Sequence, residues 1–548
     1  MKHMDKITVD ADLAKLSPFE LKGEIIAKAA DKIKNDANTL LNAGRGNPNW
    51  IATEARDAYF ALGQFAMSEC RRDFYLPEGI AGTPEKAGIA ARFEQWMKDN
   101  IKVPGVEFLQ KAYIYCLIEL SADPDALVAE WASGIIGHDY PTPPRILRYT
   151  EVITRKYLEW ALCDNRPAEG SKFDLFAVEG STAGMCYAFD VLKQNFLLKP
   201  GDHVALMVPI FTPYIEIPQL KEFDYDVLNL RADGMTPEGI HTWQVAPESI
   251  AKLKDHKYKM LFVVNPSNPP SYALDQATVD ALKEVVEANP DLMILTDDVY
   301  GTFVDGYRSL IAELPYNSMS CYSFSKYFGA TGQRLAVTAL EPDNVYDYLI
   351  TKLSDEEKAI LEQRYQSLTT DVPGLKFIDR MVAESRLVAL NHTAGLSTPQ
   401  QIQMSLFGLG SLVDNAQRDG AYHKRMLRLI HDRYNTLWKS FGFEMPEDKL
   451  RADYYSEIDL MVWAKKLHGQ EFADFINDNY DPLSVVFRLA SESGSVVLNG
   501  DGFDGPKWSI RVSLANLNEE DYSRIGADIR HVLDEYAKEW RASLREKK

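Results

Sequence analysis

The chain has 548 residues, 46% hydrophobic and 26% charged, the proportions of a large soluble globular protein with material for two or three domains. A net charge of −20 argues against a nucleic-acid or acidic-membrane partner, because like charges repel. Its five cysteines, at 70, 116, 163, 186 and 321, form no C-x-x-C pair and no metal-ligand spacing, which predicts free thiols in a reducing compartment and no metal site.

From Met1 to Leu16, charged and apolar residues alternate without a signal-peptide core. No apolar run approaches membrane-spanning length, so a cytoplasmic protein is expected. Periodicity predicts an amphipathic helix over 18–39, then a Gly/Pro-punctuated loop, Leu40-Leu-Asn-Ala-Gly-Arg-Gly-Asn-Pro-Asn-Trp50. Residues 51–135 read as helical, broken near Leu76-Pro-Glu-Gly and Val103-Pro-Gly. From 136 to 340 helices alternate with short β runs at 175–178, 203–208, 259–264, 293–296, 320–323 and 335–340, the pattern of an open α/β sheet with helices on both faces. Residues 343–390 are again helical and highly charged, 400–440 read as a long helix pair, and 441–548 as a mixed α/β tail.

The segment Cys321-Tyr-Ser-Phe-Ser-Lys326-Tyr-Phe-Gly-Ala-Thr-Gly-Gln-Arg334 carries the most chemistry. It sets a lysine just past a β run and eight residues before an arginine, with Gly329 and Gly332 between them. A pyridoxal 5′-phosphate enzyme needs this: an amine to bind the cofactor aldehyde, Ser323 and Arg334 to reach the phosphate, and glycines for tight turns beside a bulky ligand. An isolated S-x-S-K is equally compatible with a surface turn. Upstream, Glu179-Gly-Ser-Thr-Ala-Gly184 follows a strand and opens a helix, so the N–H groups of Ser181 and Thr182 can cradle a phosphate; by itself the pair also reads as an ordinary helix cap.

The lysine segment resembles that of the fold-type I aminotransferases, and further segments follow in that family's order. Val208-Pro-Ile-Phe-Thr-Pro-Tyr214 matches at the aromatic that stacks on the cofactor ring, here Phe211. Val264-Asn-Pro-Ser-Asn-Pro-Pro270 implies that Asn265 bonds the cofactor 3′-oxygen. Leu295-Thr-Asp-Asp-Val-Tyr300 implies that Asp297 pairs with the pyridine nitrogen and that Tyr300 donates to the 3′-oxygen; Asp298 is a rival, and the three-residue gap to Tyr300 favours Asp297. Gly137-His-Asp-Tyr-Pro-Thr-Pro-Pro144 resembles the segment whose tyrosine, here Tyr140, reaches the neighbouring subunit's phosphate, which implies at least a dimer. Trp508-Ser-Ile-Arg-Val-Ser-Leu-Ala-Asn516 implies that Arg511 clamps the substrate α-carboxylate. Catalysis would then rest on Lys326, Asp297 and Tyr300.

The fold implied is a large seven-stranded mixed-sheet α/β domain plus a small α/β domain, with helical insertions. Residues 1–50 would form an arm and part of the small domain, and 51–135 an insertion. Residues 136–415 would be the pyridoxal-phosphate domain, with a second insertion at about 343–390, and 416–548 the C-terminal small domain. Two departures from ordinary members are informative. Asn391-His-Thr-Ala-Gly-Leu-Ser-Thr-Pro399 lacks the arginine that in aspartate aminotransferases holds the substrate side-chain carboxylate, and Gly44-Arg45-Gly46 puts one in the N-terminal loop instead. Together with the insertions, these resemble the aspartate β-decarboxylase branch of the family. The branch implies β-decarboxylation of L-aspartate to L-alanine and CO₂, with side transamination using 2-oxo acids. Arg45 would take the β-carboxylate beside Gly46, and the assembly would be a homo-oligomer, a dodecamer. The rival functions are a plain aminotransferase for a dicarboxylic or large apolar amino acid and a cofactor-binding transcription regulator. Residues 1–40 are too short for the regulator's DNA-binding module.

Overall fold

The computed structural model describes residues 13–35, 40–387 and 395–546. Seven strands form the main sheet: β1 (Asp174–Val178), β2 (His203–Val208), β3 (Asp226–Arg231), β4 (Tyr258–Val264), β5 (Met293–Asp297), β6 (Ser318–Ser323) and β7 (Ala336–Leu340). Their spatial order is β1-β7-β6-β5-β4-β2-β3. β7 runs antiparallel to both neighbours, while the remaining pairs are parallel. Period-two alternation is visible in the packing. Val204, Leu206 and Val208 of β2 and Phe262 and Val264 of β4 join the core on one face, whereas Ala205, Met207, Leu261 and Val263 join the core on the other.

Six of these strands match the sequence reading; β3 went unread. It is one of the two edge strands, with only Leu230 fully buried, and Asp226, Asn229 and Arg231 make it polar. The amphipathic helix α1 (Pro18–Asn35) ends its described length at Asn35, and residues 36–39 of the expected helix lie outside the described residues. The stretch 51–135, read as helical, contains α2 (Thr53–Asp73), α3 (Ile89–Asp99), α4 (Val106–Glu119) and α5 (Pro124–Ile136). α5 shows why the boundaries fall there: Asp123 accepts from Ala126 N at 2.8 Å, Pro124 opens the first turn, and Gly137 closes the helix at φ 71°. α2 packs small residues, Ala55, Ala58, Ala61 and Ala66, against the aromatic core around Phe93 and Trp131, and that core is continuous with the main sheet.

Further along, α6 (Ser181–Gln194) follows β1, and α7 (Thr398–Arg418) and α8 (Ala421–Phe441) are the expected long pair, broken at Asp419 and Gly420. The charged stretch 343–390 contains helices at Val345–Thr351, Asp355–Tyr365 and Phe377–Leu387. A second core gathers Leu21 and Ile25 of α1 with Trp438, Trp463, Ile510 and Tyr522, so both ends of the chain build it. Its sheet is β8 (Tyr455–Asp459), β9 (Leu498–Asn499) and β10 (Ser509–Ser513), antiparallel with β10 in the centre. α8 ties the two cores together: Met426 and Ile430 pack in the first, Leu437, Trp438 and Phe441 in the second. Among the described residues no helix is long and apolar enough to cross a membrane.

Candidate active site

The C-terminal ends of β1, β2, β4, β5 and β6 converge on one edge of the sheet, where open α/β sheets place their ligands. β6 runs up to this edge, residues 324–335 turn over it, and β7 runs back down, which accounts for its antiparallel sense. A cleft of about 300 Å³ opens there, walled by residues from every one of these strand ends and by Phe19, Gly46, Tyr455 and Arg511 of the small domain.

Of the residues singled out by sequence, Ser181, Thr182, Phe211, Asp297, Tyr300, Ser323, Lys326, Arg334, Arg511 and Gly46 all line this cleft. Ser181 and Thr182 open α6 behind Gly180, whose φ of 98° suits only glycine. A Cβ at Gly180 would lie 2.0 Å from Arg334 Nη2, so the glycine lets the guanidinium reach the helix terminus. That places N–H groups, hydroxyls and a cation at one point, a donor set suited to a phosphate. Lys326 is half-buried, and its Nζ donates to the Gly46 carbonyl at 3.1 Å. A Cβ at Gly46 would lie 2.4 Å from Tyr455 Oη and 3.5 Å from Lys326 Nζ, so the loop passes both side chains at backbone range.

The two aspartates part company. Asp297 lines the cleft, accepting from Tyr214 Oη at 2.6 Å and Val299 N at 3.2 Å, and burial pushes its carboxyl up to about 6. Asp298 is turned inward: it accepts from Thr296 at 3.0 Å, Tyr307 at 2.7 Å, Ser309 at 2.8 Å and the Ser320 hydroxyl. Tyr300 donates to Tyr455 Oη at 3.1 Å, and burial first, then the neighbouring tyrosines, hold its hydroxyl well above the usual range. Asn265 is buried just behind the cleft; its side-chain oxygen accepts from Leu274 N at 3.1 Å.

Arg511 is fully buried, donating to Asn268 Oδ1 at 3.1 Å and to the Gly44 carbonyl at 3.2 Å. Its Nε has no partner, and its guanidinium lies 4.3 Å from the Tyr455 ring and 4.9 Å from that of Phe503. A buried cation held by neutral oxygens and aromatic faces is chemically ready for a carboxylate. Besides Asn265, two predicted residues lie outside the cleft wall: Arg45 and Tyr140 are both exposed in the single chain. The Gly44 and Gly46 carbonyls on either side of Arg45 nonetheless bind Arg511 and Lys326. Burial first, then the charges of Arg45 and Arg511, hold the Lys22 ammonium below its usual value, so three cations share one field. Residues 391–394 of the segment without the expected arginine lie outside the described residues.

Several participants were missed by sequence reasoning: Phe19, Tyr214, Asn268, Tyr455 and Arg56. Arg56, in the first turn of α2, donates to the carbonyls of Phe328 at 3.1 Å and Gly329 at 2.7 Å, bracing the turn after Lys326. Tyr214 and Asn268 sit within quoted motifs, but nothing in the linear order announces where their side chains point.

The donor set fits pyridoxal 5′-phosphate: an amine for its aldehyde, a buried carboxylate for its pyridine nitrogen, and a cation with a helix N-terminus for its phosphate. Fold and site together define a pyridoxal-phosphate enzyme of fold type I. The chain belongs to the class I and II aminotransferase family, whose model matches residues 180–527. A bifunctional aspartate aminotransferase and L-aspartate β-decarboxylase of a Pseudomonas species is 46% identical over 533 residues, 97% of this chain and 98% of that protein. A bifunctional aspartate aminotransferase and glutamate/aspartate-prephenate aminotransferase of Petunia hybrida is 25% identical over 58% of this chain and 56% of its own length. Among solved structures, a double mutant of Thermus thermophilus aspartate aminotransferase shares the fold with a TM-score of 0.54 at 15% identity, over 96% of this chain and 99% of that one. Escherichia coli YbdL does so with a TM-score of 0.55 at 14% identity, over 95% and 99%.

Proposed function

We propose that this enzyme removes the β-carboxylate of L-aspartate to give L-alanine and CO₂, with aspartate transamination as a side reaction. The observation that carries this reading is the Pseudomonas relative, similar over 97% of the chain and therefore through both insertions. The bound cofactor would supply an electron sink for the Cα and Cβ bonds of the substrate. Asp297 would hold a proton at the pyridine nitrogen, with Tyr214 fixing its carboxylate from behind. Ser181, Thr182, Ser323 and Arg334 would hold the phosphate, Phe211 would cover the ring, and Asn265 and Tyr300 would bond its 3′-oxygen.

Lys326, once free of the cofactor, would take the Cα proton of aspartate and return it, its amine kept at the substrate by the Gly46 carbonyl. Arg511 would orient the α-carboxylate and Arg45 the β-carboxylate, turning the Cβ–carboxylate bond out of the plane of the reacting system so that CO₂ departs. Water must be kept out at that stage, since hydrolysis diverts aspartate to oxaloacetate; the ring wall of Phe19, Phe211 and Tyr455 supports such exclusion. The test is to incubate the loaded enzyme with aspartate and no 2-oxo acid, and to quantify alanine, CO₂ and oxaloacetate. Sustained alanine and CO₂ in equal amounts is the expected result. A single stoichiometric burst of oxaloacetate and no further turnover would leave a plain aminotransferase.

The working form would be a homo-oligomer, at least a dimer and, by the branch resemblance, a dodecamer in the cytoplasm. Tyr140 is 72% exposed, which supports a reach to a neighbour's phosphate. Ten of the eighteen exposed large hydrophobic residues among those described, including Ile51, Phe60 and Ile118, lie in the first insertion, which supports a covered surface there. The five free cysteines support a reducing setting. Light scattering that finds an active monomer of 61.9 kDa would overturn the assembly reading.

A further inference from the structure

Glu457 is a buried carboxyl that the reaction described above does not use. It lies in the middle of β8 and pairs directly with Arg511 across the β8–β10 ladder, so the two side chains leave the same face of the small sheet. Neither carboxyl oxygen receives a hydrogen bond, and its residue is 6% exposed. Backbone closes around it: a Cβ at Gly500 would lie 2.0 Å from Glu457 Oε1, and one at Gly505 3.1 Å. Ser509 Oγ sits beside the same point, 1.9 Å from that Gly500 Cβ, but donates to the Pro506 carbonyl at 2.7 Å. A protonated Glu457 would complete this chain by donating to Ser509 Oγ; an ionised one gains a donor only if the Ser509 hydroxyl turns away from Pro506, and otherwise has the field of Arg511 to offset its desolvation.

The other charged groups nearby are committed elsewhere. Asp459, two residues along β8, is held by His241 Nε2 at 2.9 Å, and Asp504 of the 500–506 loop pairs with Arg231 at 2.9 Å. Burial holds Asp501 above its usual value and pushes the hydroxyls of Tyr272 and Tyr434, which line the small cavity beside Glu457, upward as well. Burial likewise pushes the Glu457 carboxyl up to about 7, opposed first by the neighbouring Ser509 hydroxyl and then by the charge of Arg511. The 500–506 loop reaches the cofactor side of the cleft: Phe503 lies under Arg511, and its carbonyl accepts from Ile210 N at 2.9 Å, next to Phe211.

We propose that Glu457 is the resident counter-charge of Arg511, ionised while the clamp is empty and neutral when a substrate α-carboxylate fills it, so that binding takes up one proton at Glu457. One anion then always accompanies the buried guanidinium, and a second is not forced into the same dry volume. Glu457 is thus a positioning residue that couples substrate affinity to pH, and this rests on the assignment of Arg511 as the α-carboxylate clamp.

The test uses the holoenzyme and maleate, a dicarboxylate with no amino group to react. Proton uptake on binding is measured by calorimetry in buffers of different ionisation enthalpy, and protonation of the cofactor is followed separately in its visible band and subtracted. The wild type should show added uptake as pH rises above about 7, with maleate affinity falling by up to about tenfold per pH unit there. Glu457→Gln should lose both the added uptake and that slope. Identical uptake and slope in the two proteins would overturn the proposal. Should the variant not fold, difference infrared spectra of the wild type decide: a protonated-carboxyl band gained on maleate binding supports the swap, and its absence refutes it. Arg511→Lys separates the layers: unchanged maleate affinity in that variant would sink the clamp assignment itself, whereas lost affinity without Glu457-linked protons sinks only the swap.

Discussion

Asp297→Asn tests the assignment of the two adjacent aspartates most directly. Asp297 is 5% exposed, faces the cleft, and is fixed by Tyr214 at 2.6 Å and Val299 N at 3.2 Å, so asparagine fits the same space without a cavity. What disappears is the buried negative charge that would face the cofactor's pyridine nitrogen and hold its proton. Breaking a buried ion pair from one side costs about 3–5 kcal/mol, which is about 10²–10⁴-fold in rate if the pair is made fully only at the transition state. Asp298→Asn acts on a different quantity. Asp298 accepts from four hydroxyl groups in a closed nest, so an amide nitrogen there meets donors, and the cost of about 1–3 kcal/mol falls on folding. Initial rates of alanine formation, visible absorbance for cofactor loading and thermal unfolding together separate the two. Asp297→Asn should load cofactor, melt near the wild type and turn over slowly; Asp298→Asn should melt early and keep most of its rate. Equal rate losses in both variants would show that the assignment at the end of β5 is wrong.

Lys326→Ala should abolish turnover and the borohydride-reducible link to cofactor together; residual near-normal turnover in steady-state assays would remove the lysine from the chemistry. Arg45→Ala should cost aspartate turnover about 2 kcal/mol in kcat/KM, the lower end for a charge pair that becomes desolvated only with substrate bound, and should leave alanine, which has no β-carboxylate, little changed. Equal losses on both substrates would make Arg45 structural. In the cofactor-free protein, the Asp297 carboxyl stands at about 6 against 3.8 when unfolded, so the folded state binds the extra proton between those values. Stability should therefore fall as pH rises through that window and level off above it, and thermal melts of apo Asp297→Asn should lose this component of the slope.

The main sheet was readable because its strands announce themselves locally and its site residues sit at strand ends, within a few positions of a β run. β1, β2, β4, β5 and β6 each deliver their residue inside one short motif, so linear order suffices. β3 failed the same reading because an edge strand with one buried side chain lacks the apolar alternation that marks its neighbours. The partners that tune the site were hidden for a different reason. Tyr300 meets Tyr455 across 155 positions, and Arg511 meets Gly44 across 467. Such contacts arise from how the small domain closes on the large one.

The face of the small sheet shows the limit most sharply. Along Tyr455-Ser-Glu-Ile-Asp459, period-two reasoning buries Ile458 and assigns Glu457 and Asp459 to solvent. That rule assumes one wet face. Here Ile458 and Ile510 do enter the small core, but the opposite face lies against the large domain and the 500–506 loop, so Tyr455, Glu457 and Asp459 are buried too. A strand that looks half-exposed in sequence is dry on both sides in the fold. Its polar face then becomes the wall that carries Arg511, and the charged residues that sequence would hand to water are those left to balance the buried guanidinium.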